Sequence, residues 1–435
     1  MTSLSQRLLQ DGFDGYTYSY PHKTAYRPLD PPVPLRQAWQ QEDTSELFLY
    51  VHLPFCEMRC GFCNLFTTVN PKQNLVGRTL SAIERQSLEV SRAVNAKRVS
   101  RAAFGGGTPS FLQEQELEQL FARLAQHWPV DWGSVPVSFE TSPGTLTPRK
   151  LALLKKLGVT RLSMGVQSFV AEDLAELGRP SFGVEVERVA DWIRDAEFPI
   201  FNLDLIYGNP GQDERRWAES LERALAQQPD ELYLYPLYVG KLTGLDRLGR
   251  RPGERRLALY RQGRDRLLQA GFQQLSMRHF RRSGLVAEEG DYCCQEDGMI
   301  GLGPGARSYT RALHYSSEYA VGQSGVREII SAFGDADFAH ASYGVRLSLE
   351  EQRRRDLLKS LLREDGLEVA RYRARFQSDP VMDFPALEEL LALGLAVLSS
   401  DRLKLTAEGL ARSDTLGPWL YSEAVQADMR EYEFR

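Results

Sequence analysis

From residue 46 to residue 239 the chain repeats one arrangement six times: a short run of β-branched, aromatic and aliphatic residues, then a longer stretch with helical spacing. The runs are ELFLYVHL (46–53), VSRAAFGGG (99–107), VPVSFET (135–141), RLSMGVQSF (161–169), PIFNLDLIYG (199–208) and ELYLYPLYV (231–239). Between them stand segments such as QELEQLFARLAQHW (115–128), apolar at every third or fourth position. Parallel neighbours need a long crossover, most often a helix, so this alternation predicts a parallel sheet. Six units fall short of a closed eight-stranded barrel, and the expected fold class is α/β, a partial (β/α)6 TIM-type barrel. Chemistry in such barrels collects at the C-terminal ends of the strands. Polar and glycine residues stand at those ends here: a cysteine-bearing loop after the first run, GGGTP after the second, Glu140 closing the third, Gln167 closing the fourth, and Asp204 late in the fifth before GNPGQ.

A second compositional unit begins near residue 347. SLEEQRRRDLLKSLLREDGL and the later FPALEELLALGLAVLSSDRLKLTAEGLARSD read as helices followed by a short hairpin, the pattern of a small winged-helix-like α+β domain. The expected division is an N-terminal segment at 1–45, a barrel with its extension at 46–345, and the appendage at 346–435. The first 45 residues carry YTYSYPHKTAYRPLDPPVP, too rich in proline for regular structure and too aromatic for a free tail, so they are expected to pack over the barrel rim. A net charge of -5, from 53 basic and 58 acidic residues, argues against a general attraction to polyanions, and no apolar run reaches the ~20 residues of a membrane span. Nucleic acid and membrane are therefore not expected partners. Three basic clusters stand out. Arg250 and Arg251 with Arg255 and Arg256, and the run Arg353 to Arg355, read as solvated faces; Arg278, Arg281 and Arg282 are placed to face a pocket and meet an acidic substrate group.

The first loop reads PFCEMRCGFCN, with Cys56, Cys60 and Cys63 spaced C-x3-C-x2-C and two further cysteines, Cys293 and Cys294, far away. Three thiols do not pair off as disulfides, and the chain opens without the basic start and apolar run of a secretion signal, so a reduced, cytoplasmic setting is expected. Structural zinc takes four ligands, usually as two separated pairs, which adjacent Cys293 and Cys294 do not supply. A four-iron cluster held by three thiolates keeps one iron open to a further ligand. Zinc and plain packing of three small thiols stay as alternatives.

Taken together, YVHLPFCEMRCGFC, FGGGTPS, FETSPGTLT, RLSMGVQSF, NLDLIYGNPGQ, GLGPGARSY and the appendage resemble the radical S-adenosylmethionine (SAM) superfamily, in the branch of oxygen-independent coproporphyrinogen III oxidase and its relatives. The resemblance implies that Cys56, Cys60 and Cys63 hold a [4Fe–4S] cluster whose open iron binds SAM. It also implies that Gly106, Gly107 and Thr108 admit the methionyl part of SAM, that Glu140 receives its cation, that Gln167, Arg179 and Asp204 line the same cofactor, and that Tyr50 stands beside the cluster. It assigns no catalytic residue. An electron donor such as flavodoxin or ferredoxin and a small-molecule substrate are the implied partners. Two departures bear on the reaction. Leu65 occupies the position of an additional cysteine of the oxidase, and EGDYCCQEDGMIG replaces the His-Asn-x-x-Tyr-Trp stretch of the heme-chaperone relatives; YTYSYP, by contrast, echoes an N-terminal segment of the oxidase. The expected activity is reductive SAM cleavage to a 5′-deoxyadenosyl radical acting on an unidentified small molecule, with methyl transfer from a second SAM preferred to oxidation of a tetrapyrrole or heme delivery. Cys293 and Cys294 are read as packing residues, or as a hydrogen-atom donor and methyl acceptor beside the radical.

Overall fold

The structure, a computed structural model, describes residues 3–9, 12–71, 73–179, 186–285 and 295–435. The six expected runs are strands Leu47–Leu53, Val99–Gly106, Val137–Thr141, Arg161–Gln167, Ile200–Tyr207 and Glu231–Pro236, hydrogen-bonded in parallel in chain order. Side chains alternate across each strand. One face carries Leu49, Val51, Phe104, Phe139, Leu162, Met164, Leu203, Leu205, Leu232 and Leu234 against the surrounding helices. The opposite face carries Tyr50, His52, Glu140, Arg161, Ser163, Asn202, Asp204, Glu231 and Tyr233. The hydrophobic layer is thus outside the curve and the inside is polar. Phe104 shows how tightly the outer layer packs: its ring stacks on Phe121 of helix Glu114–His127, with centroids 4.4 Å apart and Phe139 and Trp132 at the flanks.

The sheet continues on both sides to thirteen strands among the described residues. Beyond Glu231–Pro236 lie His279–Arg282 and Phe272–Gln274, both antiparallel additions. Beyond Leu47–Leu53 lies the parallel strand Met299–Leu302, followed by Arg307–Tyr309, Leu313–Ser316, His340–Arg346 and Arg27–Pro34. The last of these corrects an expectation. RPLDPPVP does form regular structure, pairing with His340–Arg346, with its register broken between Pro28 and Val33. It sits at the sheet edge, the one place where proline's missing N–H leaves no neighbour unsatisfied.

The appendage opens with helix Leu349–Leu361 and contains a three-stranded sheet in the order Leu367–Glu368, Arg402–Leu405, Ala396–Leu398, with short helices between. Its core is separate from that of the barrel and takes in Leu4, Tyr20 and Ala25 from the N-terminal segment. The segment therefore does more than lie over the rim. Leu4 and Tyr20 are buried in the appendage, whereas Tyr16 reaches the barrel, its ring 6.3 Å from that of Tyr235. Among the described residues no helix is long and apolar enough to cross a membrane.

Candidate functional site

The cysteine loop leaves strand Leu47–Leu53 and is fixed from two sides. Cys56 ends the short strand Phe55–Cys56, which pairs with Thr68–Val69. At the other side the N–H of Gly61 donates to the carbonyl of Leu177 at 3.0 Å, and a Cβ on Gly61 would stand 2.8 Å from that oxygen, so only glycine lets the loop dock. Docking brings Arg179 to the loop. Its guanidinium donates to Cys60 Sγ at 2.9 Å and to the Gly165 carbonyl at 2.5 Å. Thr108 Oγ1 lies 3.6 Å from Cys56 Sγ. Burial pushes the Cys56 thiol up to about 12, and burial followed by Cys60 raises that of Cys63. A bound metal centre would supply the charge that draws such thiols to thiolates.

The donor set fits an iron–sulfur cluster. Cys56, Cys60 and Cys63 are free thiols on one loop, three ligands where structural zinc takes four. Hydrogen bonds to sulfur, here from Thr108 and Arg179, are a recognised way of tuning such clusters.

Beside the thiols the second strand ends in a glycine cradle. Gly106 holds φ +110°, and a Cβ there would meet the His52 ring at 2.6 Å; a Cβ on Gly107 would meet the Phe55 carbonyl at 2.6 Å. The Gly106 N–H donates to Glu140 Oε2 at 3.1 Å. Burial, then the neighbouring Asp204, pushes the Glu140 carboxyl up to about 7. Asp204 is raised by burial too, and accepts from Asn202 Nδ2 at 2.9 Å and Ser163 Oγ at 3.3 Å. Gln167 holds a left-handed φ of +73° where the register with strand Ile200–Tyr207 slips, a bulge of the kind that re-aims a side chain at a site. Its Nε2 and the Arg179 fork meet at Gly165. Tyr50 and His52, two residues apart on one strand, share a face, and the Tyr50 hydroxyl stands 3.3 Å from His52 Nδ1. The His52 Nε2 contact with the Phe66 carbonyl at 3.0 Å makes Nε2 the protonated nitrogen, and burial holds the ring down at about 4, hence neutral. All eleven residues expected from the sequence therefore gather at one rim.

Several basic residues depart from expectation. Arg278 is buried, paired with Asp414 at 2.5 Å and stacked 3.7 Å over Tyr16. Arg281 donates to Glu231 at 2.8 Å, alongside Arg161 at 2.7 Å and His279 at 3.1 Å. Arg282 donates to the Pro229 carbonyl and lies over Phe272. Arg278 is neutralised by Asp414, Arg281 is held on Glu231, which it shares with Arg161, and Arg282 covers the protein's own backbone. None is the substrate clamp expected of it. Arg256 and Arg355 are likewise buried, not solvated: Arg256 donates to the Leu237 carbonyl and Arg355 pairs with Asp297 at 3.1 Å. Cys293 and Cys294 lie outside the described residues. Sequence reasoning passed over His52, Ser163 and Asn202, although their two-residue spacing from Tyr50, Gly165 and Asp204 placed them on the inner face. It also passed over Lys23, Arg307 and Tyr319, which no local pattern joins.

Comparison with known proteins agrees with this geometry. Residues 50–224 match the radical SAM superfamily and residues 347–412 the HemN C-terminal domain. A heme chaperone HemW from Synechocystis sp. is 31% identical over 271 residues, which span 60% of this chain and 65% of that protein. An oxygen-independent coproporphyrinogen III oxidase from the same organism is 27% identical over 391 residues, 84% of this chain and 82% of the oxidase. The solved coproporphyrinogen III oxidase HemN of Escherichia coli, described as a radical SAM enzyme, superposes with a TM-score of 0.77 over 92% of this chain and 96% of that one, at 23% identity.

Proposed function

The chain belongs to the radical SAM superfamily, in the branch that holds HemN and HemW, and from that premise we propose that it cleaves SAM reductively and directs the resulting radical at a tetrapyrrole. The observation that carries the first step is the meeting of Cys56, Cys60 and Cys63 with Thr108, Arg179 and Glu140 at the C-terminal rim. When bound, a [4Fe–4S] cluster and SAM supply the electron and the 5′-deoxyadenosyl radical. The protein's part is to hold and exclude. Cys56, Cys60 and Cys63 are the cluster ligands, with Thr108 and Arg179 donating to two of the sulfurs. Gly106 and Gly107 let the end of the strand close against the His52 ring and the Phe55 carbonyl, which sets bare backbone beside the thiols, and Glu140 offers a carboxylate to the cationic end of SAM. Tyr50, Gln167 and Asp204 wall the same space and keep water from the radical.

The tetrapyrrole follows from relatives whose names specify heme and coproporphyrinogen. For the outcome we favour methyl transfer from a second SAM. Leu65 is 49% exposed beside the cluster loop, apolar where the resemblance calls for an additional cysteine in the oxidase, and the cations reserved for oxidative decarboxylation are closed on Asp414 and Glu231. That reaction would consume two SAM and two electrons from the donor: the substrate's hydrogen would end on 5′-deoxyadenosine with release of methionine, and its carbon would take the methyl group of the second SAM with release of S-adenosylhomocysteine. Reconstituted protein supplied with dithionite, SAM and a tetrapyrrole should release the two nucleosides in similar amounts. 5′-Deoxyadenosine alone, with carbon dioxide from coproporphyrinogen, would establish the oxidase reaction instead. Stoichiometric heme uptake without either nucleoside would establish a chaperone.

A further inference from the structure

Four arginines of the interior meet carboxylates: Arg161 meets Glu231, Arg216 meets Asp173, Arg278 meets Asp414 and Arg355 meets Asp297. Lys23 and Arg307 meet aromatic side chains instead. Arg307, which opens strand Arg307–Tyr309, donates to the Tyr18 hydroxyl at 2.8 Å with its guanidinium over the same ring. Lys23, in the turn Lys23–Ala25 of the N-terminal segment, holds its ammonium 3.7 Å from the centre of the Tyr319 ring. Among the described residues no carboxylate comes within ion-pair distance of either.

The two belong to one place. The ring of His22, the residue before Lys23, stands 5.5 Å from that of Tyr18, whose hydroxyl accepts from Arg307, and each cation lies within electrostatic reach of the other and of His52. Lys23 also senses Cys63, and the Tyr319 hydroxyl donates to the carbonyl of Asn64, the residue after Cys63, at 2.5 Å. Both residues keep part of their surface accessible. Burying two like charges side by side is unfavourable, and burial together with Arg307 holds the Lys23 ammonium well below its usual range. An anion from outside the chain removes that penalty. The five donors of Arg307, one of them used by Tyr18, form a fork suited to a carboxylate, and Lys23 adds a point charge.

We propose that Lys23 and Arg307 bind a side-chain carboxylate of the substrate at the mouth of the barrel, beside the cysteine loop. The inference rests on the tetrapyrrole reading and adds to it the group by which the ring is held. A clamp that stabilises the carboxylate anion in the ground state also opposes its loss as carbon dioxide, so the site suits a reaction in which that carboxylate survives.

The test titrates reconstituted wild-type protein with protoporphyrin IX, which has two propionates, and with its dimethyl ester, following absorbance anaerobically. The acid should bind at least about tenfold more tightly than the ester, since charge-assisted bonds are lost on esterification. Lys23→Met and Arg307→Gln should each remove most of that preference, with ester affinity, SAM affinity and iron content staying within about twofold of wild type. Arg307→Lys should restore part of it. Equal binding of acid and ester by wild type overturns the carboxylate site and leaves the tetrapyrrole reading intact. Binding of neither porphyrin overturns both. Variants that weaken SAM would assign the two cations to the carboxylate of SAM, and variants that lose iron would assign them to the charge of the cluster; either result overturns the proposal.

Discussion

Glu140 illustrates how much a single side chain is asked to do. In a folded protein a carboxyl held near 7 is neutral over a range where the unfolded chain, near 4.5, is already ionised. Stability should therefore fall as pH climbs from about 4.5 to about 7, and Glu140→Gln should remove that slope. The cofactor reverses the preference, because a cation favours the carboxylate. SAM should bind more weakly below pH 7 and should expel a proton on binding near neutrality, which calorimetry in buffers of different ionisation enthalpy reads directly. Glu140→Gln should weaken SAM about tenfold or more and leave the cluster in place. At the thiols the expectation is sharper: Cys56→Ala, Cys60→Ala or Cys63→Ala should each abolish the brown chromophore, about four irons per chain in wild type. Arg179→Met should keep iron but shift the midpoint potential to more negative values in a redox titration, since it removes the donor from Cys60 Sγ.

Among the elements, the junction of strand Val99–Gly106 with the loop behind it is the least forgiving. Gly106→Ala places a Cβ against the His52 ring and forces a left-handed conformation on a side-chain-bearing residue. A cost of about 1 to 3 kcal/mol in chemical denaturation is expected, together with loss of SAM binding, because His52 is anchored to Phe66 and has nowhere to move. The six core strands were readable because each obeys the period of two and is closed off by glycine or polar residues. The edge strand Arg27–Pro34 was not. Its partner His340–Arg346 lies some three hundred residues away, and four prolines speak locally against any strand. The bulge at Gln167 was also invisible, since it arises from the mismatch between two strands and not from the composition of either.

At the scale of the whole molecule, a few buried ion pairs tie the layers together. The inner face of the barrel is closed by Glu231 with Arg161, His279 and Arg281. Burial alone would raise its pKa, but these partners hold it well below the usual carboxylate range. A depressed carboxylate contributes stability that is complete above its unfolded value near 4.5 and is lost as pH falls below that, so acid should loosen the barrel from the inside. Arg278 and Asp414 join barrel to appendage, and the Tyr238 hydroxyl donates to the same carboxylate at 2.6 Å. Asp414→Asn leaves the Arg278 charge buried without its counter-ion and should cost about 3 to 5 kcal/mol, seen as a lower denaturation midpoint. An unchanged midpoint would show that the pair is not a structural tie.

What the sequence by itself determined are those features written in short-range order. Strand and helix periods, the three thiols eight residues from end to end, the glycines before Thr108 and the acidic and amide residues at strand ends all repeat or cluster within a few positions, so their partners are implied by the fold they build. Tertiary structure decided which charges are spent and which stay available. Arg278 and Lys23 are equally basic in the sequence. One is cancelled by Asp414, distant in the chain, whereas the other faces Tyr319 and Arg307 with no carboxylate among the described residues. A charge's function depends on what opposes it across space, and that pairing is fixed only when the N-terminal segment, the barrel and the appendage come together.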